Sequence, residues 1–282
     1  MSEAANVCLV FRRKASACGS IIAMSVAVLA ASANGQTDYY NTDRGRPVLI
    51  EDAYPVERYA FELQAAPLRL ERHRGGIYQW GLEPEIAHGI LPRTQVEAGV
   101  PLVLVDRGSG REFGMAGIGL SALHNLNVET EGLPAFGVGA DVVLPVGSFA
   151  PERPYVSATG IATRTYSFAR FHVNGRYTFG AEPGSAAEAG AEELSRWLAG
   201  VAVDRTFPLR SMLVTAEVYA RQPISSGEDL EWNAAAGLRY QWSPRLALDA
   251  GLGRTLTGHQ KTWFVTFGTA YAFAVRSLMP GR

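Results

Sequence analysis

Leu230 to Trp242 reads LEWNAAAGLRYQW, and its alternate positions differ in polarity. The even-numbered positions carry Leu, Trp, Ala, Ala, Leu, Tyr and Trp, whereas the odd-numbered positions carry Glu, Asn, Ala, Gly, Arg and Gln. Successive side chains of a β-strand point to opposite faces, so a period of two indicates a strand, and a helix would not separate these residues. The stretch therefore predicts a strand with one apolar face and one polar face.

The same alternation recurs along the rest of the chain. It is clear at 78–86, 96–104 and 170–179. Weaker copies lie at 58–71, 113–126, 135–147, 155–166, 195–205, 212–222, 245–254 and 262–273. Together with 230–242 these make twelve predicted strands of about 10 to 14 residues, longer than the usual globular strand but suited to a tilted crossing of a bilayer.

Most connections between the predicted strands alternate in length; the exceptions are a long joint at Asn127–Pro134 and a short one at Arg72–Gly76. Tight joints such as Ser167–Ala169 and Ser243–Pro244 fall at one end, and longer polar joints such as Val105–Glu112 and Gly180–Glu193 fall at the other. Short inner turns and longer outer loops are typical of bacterial outer-membrane barrels. The predicted fold class is therefore all-β, a transmembrane antiparallel up-and-down β-barrel of about 12 strands.

The first 33 residues have the composition of a secretory signal. A basic cluster at Arg12–Lys14 precedes the apolar stretch Ile21–Ala33, which is too short for an ordinary spanning helix. We expect cleavage after Ala33; cleavage after Gly35 and an uncleaved anchor helix are the alternatives. Both cysteines, Cys8 and Cys18, lie in this segment, so the predicted mature chain has no disulfide and no cysteine nucleophile.

Composition and patterning divide the chain into three predicted parts. These are a signal peptide at 1–33, an N-terminal periplasmic or plug segment at 34–56, and an outer-membrane β-barrel at 57–276. The middle part lacks alternation and contains Pro47 and Pro55. Among the 282 residues, 47% are hydrophobic and the formal charge is −1, which excludes disorder and gives no basic surface for nucleic acid.

The polar strand faces would line the lumen of such a barrel. The predicted pore-lining residues are Glu83, Glu85, Glu97, Asp141, Arg170, His172, Asn174, Arg176, Glu217, Arg239 and Asp249. Opposite charges can meet across a twelve-strand lumen, which is narrower than the barrels of 16 to 18 strands that enclose open channels. Small inward residues such as Gly99 and Gly139 favour a narrow pore, and a salt-bridged, non-conducting interior is the alternative.

Aromatic residues gather near the predicted strand ends, where interfacial girdles lie in membrane barrels. The predicted girdle consists of Tyr78, Trp80, Phe171, Phe179, Trp232, Trp242, Trp263 and Phe273. Core packing in a soluble sandwich is the alternative, because alternation alone does not show which strand face is exposed to water. If the apolar face meets lipid, Leu238→Arg should be destabilising and Gly237→Ser on the other face should be tolerated.

Patterns for catalysis or metal binding are weak. His172 and Asn174 share the polar face of one predicted strand, but no Ser lies two residues from His172, so a lumen-lining pair is favoured over a catalytic pair. The remaining histidines have no ligand spacing. We therefore expect no catalytic residues, no metal and no cofactor, and an outer-membrane enzyme acting on lipid is the alternative function.

Several stretches resemble the outer-membrane channel proteins labelled "transporter" or "MetA-pathway of phenol degradation". The stretches are Gly45–Pro47, Glu51–Ala53, Pro84–Gly89 (PEIAHG), Arg93–Leu102, His172–Asn174, Tyr177–Phe179, Gly237–Gly253 and Trp263–Phe273. The resemblance covers nearly the whole predicted mature chain. It implies a transmembrane barrel with a passive uptake role and no established catalytic residues.

The sequence thus predicts an exported protein of the Gram-negative outer membrane. We expect a narrow passive channel for small solutes, aromatic or hydrophobic ones among them. A lipid-modifying enzyme and a non-conducting structural barrel are the alternatives. The expected partners are outer-membrane lipid and lipopolysaccharide, the small-molecule solute and, during biogenesis, the barrel-assembly machinery.

Overall fold

A computed structural model describes residues 41–73, 76–183, 194–225, 227–258, 262–275 and 278–279. The predicted signal peptide lies outside the described residues. Within them, no helix has the length and apolar character needed to cross a membrane.

Fourteen β-strands form one antiparallel sheet in the described part of the chain. They are β1 (Ala60–Arg72), β2 (Tyr78–Leu91), β3 (Thr94–Gly99), β4 (Leu102–Asp106), β5 (Arg111–Met115), β6 (Ile118–Asn125), β7 (Ala135–Leu144), β8 (Tyr155–Thr165), β9 (Arg170–Phe179), β10 (Ser195–Thr206), β11 (Met212–Pro223), β12 (Glu231–Ser243), β13 (Leu246–Thr255) and β14 (Trp263–Ala274).

Two of the predicted strands are interrupted. The stretch 96–104 divides into β3 and β4, and both halves pair with β2. The stretch 113–126 divides into β5 and β6, which pair with β4 and β3. Pro101 has no N–H to give to a ladder and Gly117 has a φ of 127°, so each strand bends where one of these residues lies. The uninterrupted strands that we expected at these two places are wrong.

Counting each interrupted strand once gives twelve, and the sheet closes on itself because β1 pairs with both β2 and β14. Neighbours in sequence are neighbours in the barrel, and each pair is antiparallel. The predicted twelve-strand, up-and-down β-barrel is therefore confirmed.

The two faces of the barrel differ as a membrane requires. Outward positions carry exposed apolar side chains, such as Val173 at 52% and Leu238 at 40% of their full exposure. Inward positions carry buried polar side chains, such as His172 at 1% and Arg239 at 2%. An apolar exterior around a polar interior is the arrangement of a transmembrane barrel and the inverse of a soluble one.

Residues 41–59, here called the lumen segment, precede β1 and run through the interior of the barrel. Three of their apolar side chains, Val48, Ile50 and Ala53, are buried. Ile50 packs against Leu198 and Tyr219 on the inner wall. Val48 contacts Ala235 and Phe264, and Ala53 contacts Leu123, Ala135 and Ile161. The interior is thus filled on several sides by the chain's own N-terminal part.

Candidate functional site

Inward-facing side chains of the barrel bind the backbone of the lumen segment. An extended segment leaves its N–H and C=O groups without ladder partners, so burial requires other partners for them. Glu217 Oε2 accepts hydrogen bonds from the N–H groups of Leu49 and Ile50, both at 2.8 Å. Elsewhere along the segment the wall partners are Asn174 for Glu51, Thr163 and Asn125 for Ala53, Gln95 for Val56 and Thr266 for Pro47.

A buried ionic network holds the first half of the lumen segment. The Arg46 guanidinium is 1% exposed; it donates to Glu62 Oε1 at 2.8 Å and also contacts Asp43. Arg239 Nε donates to Asp249 Oδ1 at 2.6 Å, and Arg239 Nη2 donates to the carbonyl of Arg46 at 3.0 Å. Burial alone lowers the pKa of Arg46, and the nearby carboxylates more than reverse this, so the net shift is upward. The two arginines remain charged and tie the segment to β1, β12 and β13.

A second network joins the lumen segment to β8, β9 and β10. Asp204 accepts two hydrogen bonds from Arg170, at 2.9 and 2.8 Å, and lies 2.9 Å from His172 Nε2. On its other side His172 Nδ1 lies 3.1 Å from Thr163 Oγ1, which accepts from the Ala53 N–H at 3.0 Å. The Arg170 guanidinium also lies 3.6 Å from Asp52 of the segment.

Thr163, His172 and Asp204 have the order of a hydroxyl nucleophile, its base and an orienting carboxylate. Their environment does not suit that chemistry, because Thr163 is fully buried, His172 is nearly so, and the threonine oxygen already accepts a backbone hydrogen bond. A substrate carbonyl would have no approach to the hydroxyl. The described residues also contain no group of three or more His, Cys, Asp or Glu placed to hold a metal ion.

A cleft remains between the lumen segment and the wall formed by β2, β3, β6 and β7. Its water-accessible space is about 40 Å³, which is room for a few water molecules, and it is partly open to solvent. The charged residues that line it are Asp43, Arg44 and Glu51 of the segment and Glu83, Glu85, Glu97 and Asp141 of the wall. Small residues widen the cleft, among them Gly99, Gly119 and Gly139. We call this space the acidic cleft, since six carboxylates and one arginine line it.

The carboxylates of the acidic cleft differ in how they are compensated. Asp141 accepts from Arg44 at 2.9 Å and from Arg176 at 2.7 Å. Glu97 accepts neutral hydrogen bonds only, from Ser121 and Gln95, each at 2.7 Å. Both nearby arginines therefore bind the same aspartate, and the cleft holds more carboxyl groups than arginines.

All eleven residues expected to line a pore lie on inner strand faces, but the structure divides them into two groups. Glu83, Glu85, Glu97 and Asp141 line the acidic cleft, with Arg176 bound to Asp141. The other six hold the lumen segment or the networks beneath it: Arg170, His172, Asn174, Glu217, Arg239 and Asp249.

Sequence reasoning did not find the functional residues of the lumen segment itself. Asp43, Arg44, Arg46, Glu51 and Asp52 all take part in the lumen networks or the cleft. The signal that could have found them is their density, since five charged residues fall within ten positions of a stretch that has no strand periodicity.

The expected aromatic girdle residues lie on the outer face near strand ends. Seven of them are exposed: Tyr78, Trp80, Phe171, Phe179, Trp232, Trp242 and Trp263. Phe273 is half-buried and stacks on Phe61 with ring centroids 5.4 Å apart. One lumen-face expectation is wrong: a Cβ at Gly237 would lie 2.6 Å from the Cβ of Pro47, so Gly237→Ser would clash with the lumen segment.

Comparisons with known proteins agree with this architecture. A family model described as "Putative MetA-pathway of phenol degradation" matches residues 74–273. The chain is similar in structure to the COG4313 outer membrane channel from Pseudomonas putida F1, with a TM-score of 0.56 and 11% identity over 82% of this chain and 100% of that one. It is also similar to a KdgM porin in complex with disordered oligogalacturonate, with a TM-score of 0.50 and 13% identity over 75% and 98%. No curated protein matches the sequence. At these identities the two structures show the fold.

Proposed function

Because the chain belongs to the family described as "Putative MetA-pathway of phenol degradation", we propose that it is a narrow passive channel for small solutes in the Gram-negative outer membrane. The observation that carries the proposal is the acidic cleft, a water-accessible space that runs beside the lumen segment and is walled by charged and small residues. A solvated cleft of this kind offers a path for a small solute that a fully packed interior lacks.

The charges of the acidic cleft set its expected preference. Carboxylates in a narrow, low-dielectric tube focus the local field and raise the concentration of cations. We therefore propose that the path favours cations over anions. Among uncharged solutes, we propose that small aromatic molecules use this path, in keeping with the family's description.

The exposed apolar band is of the kind that outer-membrane lipid and lipopolysaccharide surround. We propose that residues 1–33 direct export and that the barrel-assembly machinery inserts the chain.

Planar-bilayer recordings of the purified protein test the channel function. We expect small conductance steps and a preference for cations over anions. The double variant Glu83→Gln/Glu85→Gln should show a weaker cation preference, because it removes two carboxyl groups from the cleft. Arg176→Gln should shift the reversal potential the other way, since it removes one of the cations that compensate Asp141. Glu152→Gln, in an exposed loop, is the matched control. The absence of steps, or a preference that is the same in all four proteins, would exclude a conducting cleft.

The enzyme alternative has its own measurement. An outer-membrane lipid-modifying enzyme would release fatty acid from outer-membrane lipid, and His172→Ala would abolish the release. We expect no release from either protein, because the Thr163, His172 and Asp204 group lies buried beneath the lumen segment.

A further inference from the structure

We propose that the lumen segment is an acid-closing gate, in which proton uptake by Glu51 and Asp52 strengthens its docking and narrows the path beside it. The expected effect of the gate on conductance rests on the proposed channel function. Docking of the segment does not, because docking can be measured without conduction. Two neighbouring carboxyl groups carry it, and they face different walls of the barrel.

Glu51 is fixed with its carboxyl group at the acidic cleft. Its N–H donates to Asn174 Oδ1 at 2.9 Å and its carbonyl accepts from Asn174 Nδ2 at 2.8 Å, so the backbone is held whatever the state of the side chain. The charged groups that face it are Asp43 and Arg44 of the segment, Glu83 and Glu85 of β2, Glu97 of β3, Asp141 of β7 and Arg176 of β9. An ionised Glu51 therefore places its charge in a confined space where two arginines and several carboxyl groups face it.

Protonation of Glu51 removes the cost of burying its charge. Burial raises the pKa of Glu51 to about 7; Arg44 opposes the rise and Glu97 adds to it. When the segment is undocked the same carboxyl group meets water and regains an ordinary value. The docked segment thus binds this proton more tightly than the undocked segment does.

Asp52 acts in the same direction on the opposite side. It accepts from the N–H groups of Thr42 and Tyr54, at 3.1 and 2.9 Å. Its cationic neighbour Arg170 is 3.6 Å away and directs two closer hydrogen bonds to Asp204, which also contacts His172. Burial raises the pKa of Asp52 to about 6, because Arg170, the nearby His172 and the two backbone donors only partly compensate it.

The sign follows from linkage. A carboxyl group whose pKa is higher in the docked state makes docking more favourable as pH falls through that value. Between pH 8 and pH 6 the Glu51 carboxyl alone should strengthen docking ~tenfold. Asp52 adds a smaller change at the acidic end of this range.

Thiol labelling of Val48→Cys reports docking directly. Val48 is buried against Ala235 and Phe264, so a thiol there reacts only when the segment leaves the wall. The experiment uses the full chain with Cys8→Ser and Cys18→Ser, and it divides each labelling rate by that of the exposed Val128→Cys to remove the intrinsic pH dependence of the reagent. We expect the relative rate to fall ~tenfold from pH 8 to pH 6.

Two variants distinguish the gate from a general effect of pH. Glu51→Gln should label slowly even at pH 8 and lose most of the pH dependence, whereas Glu57→Gln, exposed on the same segment, should keep it.

Leu49→Cys is a second reporter if Val48→Cys fails to fold. Equal relative rates at pH 8 and pH 6, or an unchanged profile in Glu51→Gln, would overturn the gate. Labelling that slows in acid in a protein that never conducts would contradict the channel function alone.

Discussion

Gly237 shows how a single residue couples the wall to the lumen segment. A Cβ at this position would lie 2.6 Å from Pro47 Cβ and 2.8 Å from the carbonyl oxygen of Ala250. We expect Gly237→Ala to lower the free energy of unfolding by about 1–3 kcal/mol, as overpacking does. Urea unfolding in lipid vesicles measures the change. Gly81→Ala is the control, since a Cβ at Gly81 meets nothing within 4 Å, and equal losses in the two variants would contradict the clash.

Leu238, the next residue, tests the outer face. Its side chain is exposed on the apolar exterior of β12, so an arginine there would have to enter lipid. Leu238→Arg should cost about 2–4 kcal/mol if the position lies near the middle of the bilayer. Leu209→Arg, at an exposed turn, should cost far less in the same vesicle unfolding assay. A larger loss at Leu209 would mean that the exterior is not the lipid face.

The facing of these residues was predictable from the sequence, whereas their interior contacts were not. A period of two assigns Leu238 and Gly237 to opposite faces without knowledge of the fold, and both assignments are correct. What the lumen holds depends on a segment about 190 residues earlier in the chain, and no periodicity connects Pro47 with Gly237. The expected tolerance of Gly237→Ser failed for this reason.

Among the elements, the lumen segment depends most on one side chain, Arg46. Arg46→Ala would leave Glu62 buried without its cation and would remove one of the two arginines that face Asp43 and Asp249. Removal of one partner from a buried ionic network costs about 3–5 kcal/mol. We expect the segment to undock, with a large rise in labelling at Val48→Cys and little change in Arg58→Ala, which removes an exposed arginine of the same segment. Labelling that stays slow in Arg46→Ala would show that the other contacts suffice.

The strands were predictable from the sequence because each has one polar face and one apolar face. Pro101 and Gly117 interrupt two of them. The apolar positions stay even-numbered across Pro101, so periodicity did not reveal that break, but they change from odd (Phe113, Met115) to even (Ile118, Leu120) at Gly117, and this change of phase was a signal of the second break. The candidate site was half predictable for a similar reason. Alternation assigns strand residues such as Glu83 and Asp141 to the inner face, but Glu51 and Arg44 lie in a stretch without a repeating pattern.

At the scale of the whole molecule, closure of the barrel makes a prediction about the intact protein. The seam joins β1 to β14 from Ala60↔Ala274 to Arg72↔Trp263, so the ladder leaves no open edge there. Closed barrels of this kind resist detergent, and we expect faster migration on gels without boiling than after it, with the protein in the outer-membrane fraction. Identical migration together with recovery in the soluble periplasmic fraction would contradict a membrane barrel.

The position of the lumen segment also orders the events of assembly. Its partners are spread around the circumference, on β3 at Gln95, β8 at Thr163, β11 at Glu217 and β14 at Thr266. A partly formed sheet presents only some of them, so the complete binding surface comes into existence when β1 meets β14. Residues 41–59 are synthesised before every strand, yet their full set of wall partners exists only after the last strand has joined the barrel. Complete docking of the lumen segment therefore requires a closed barrel.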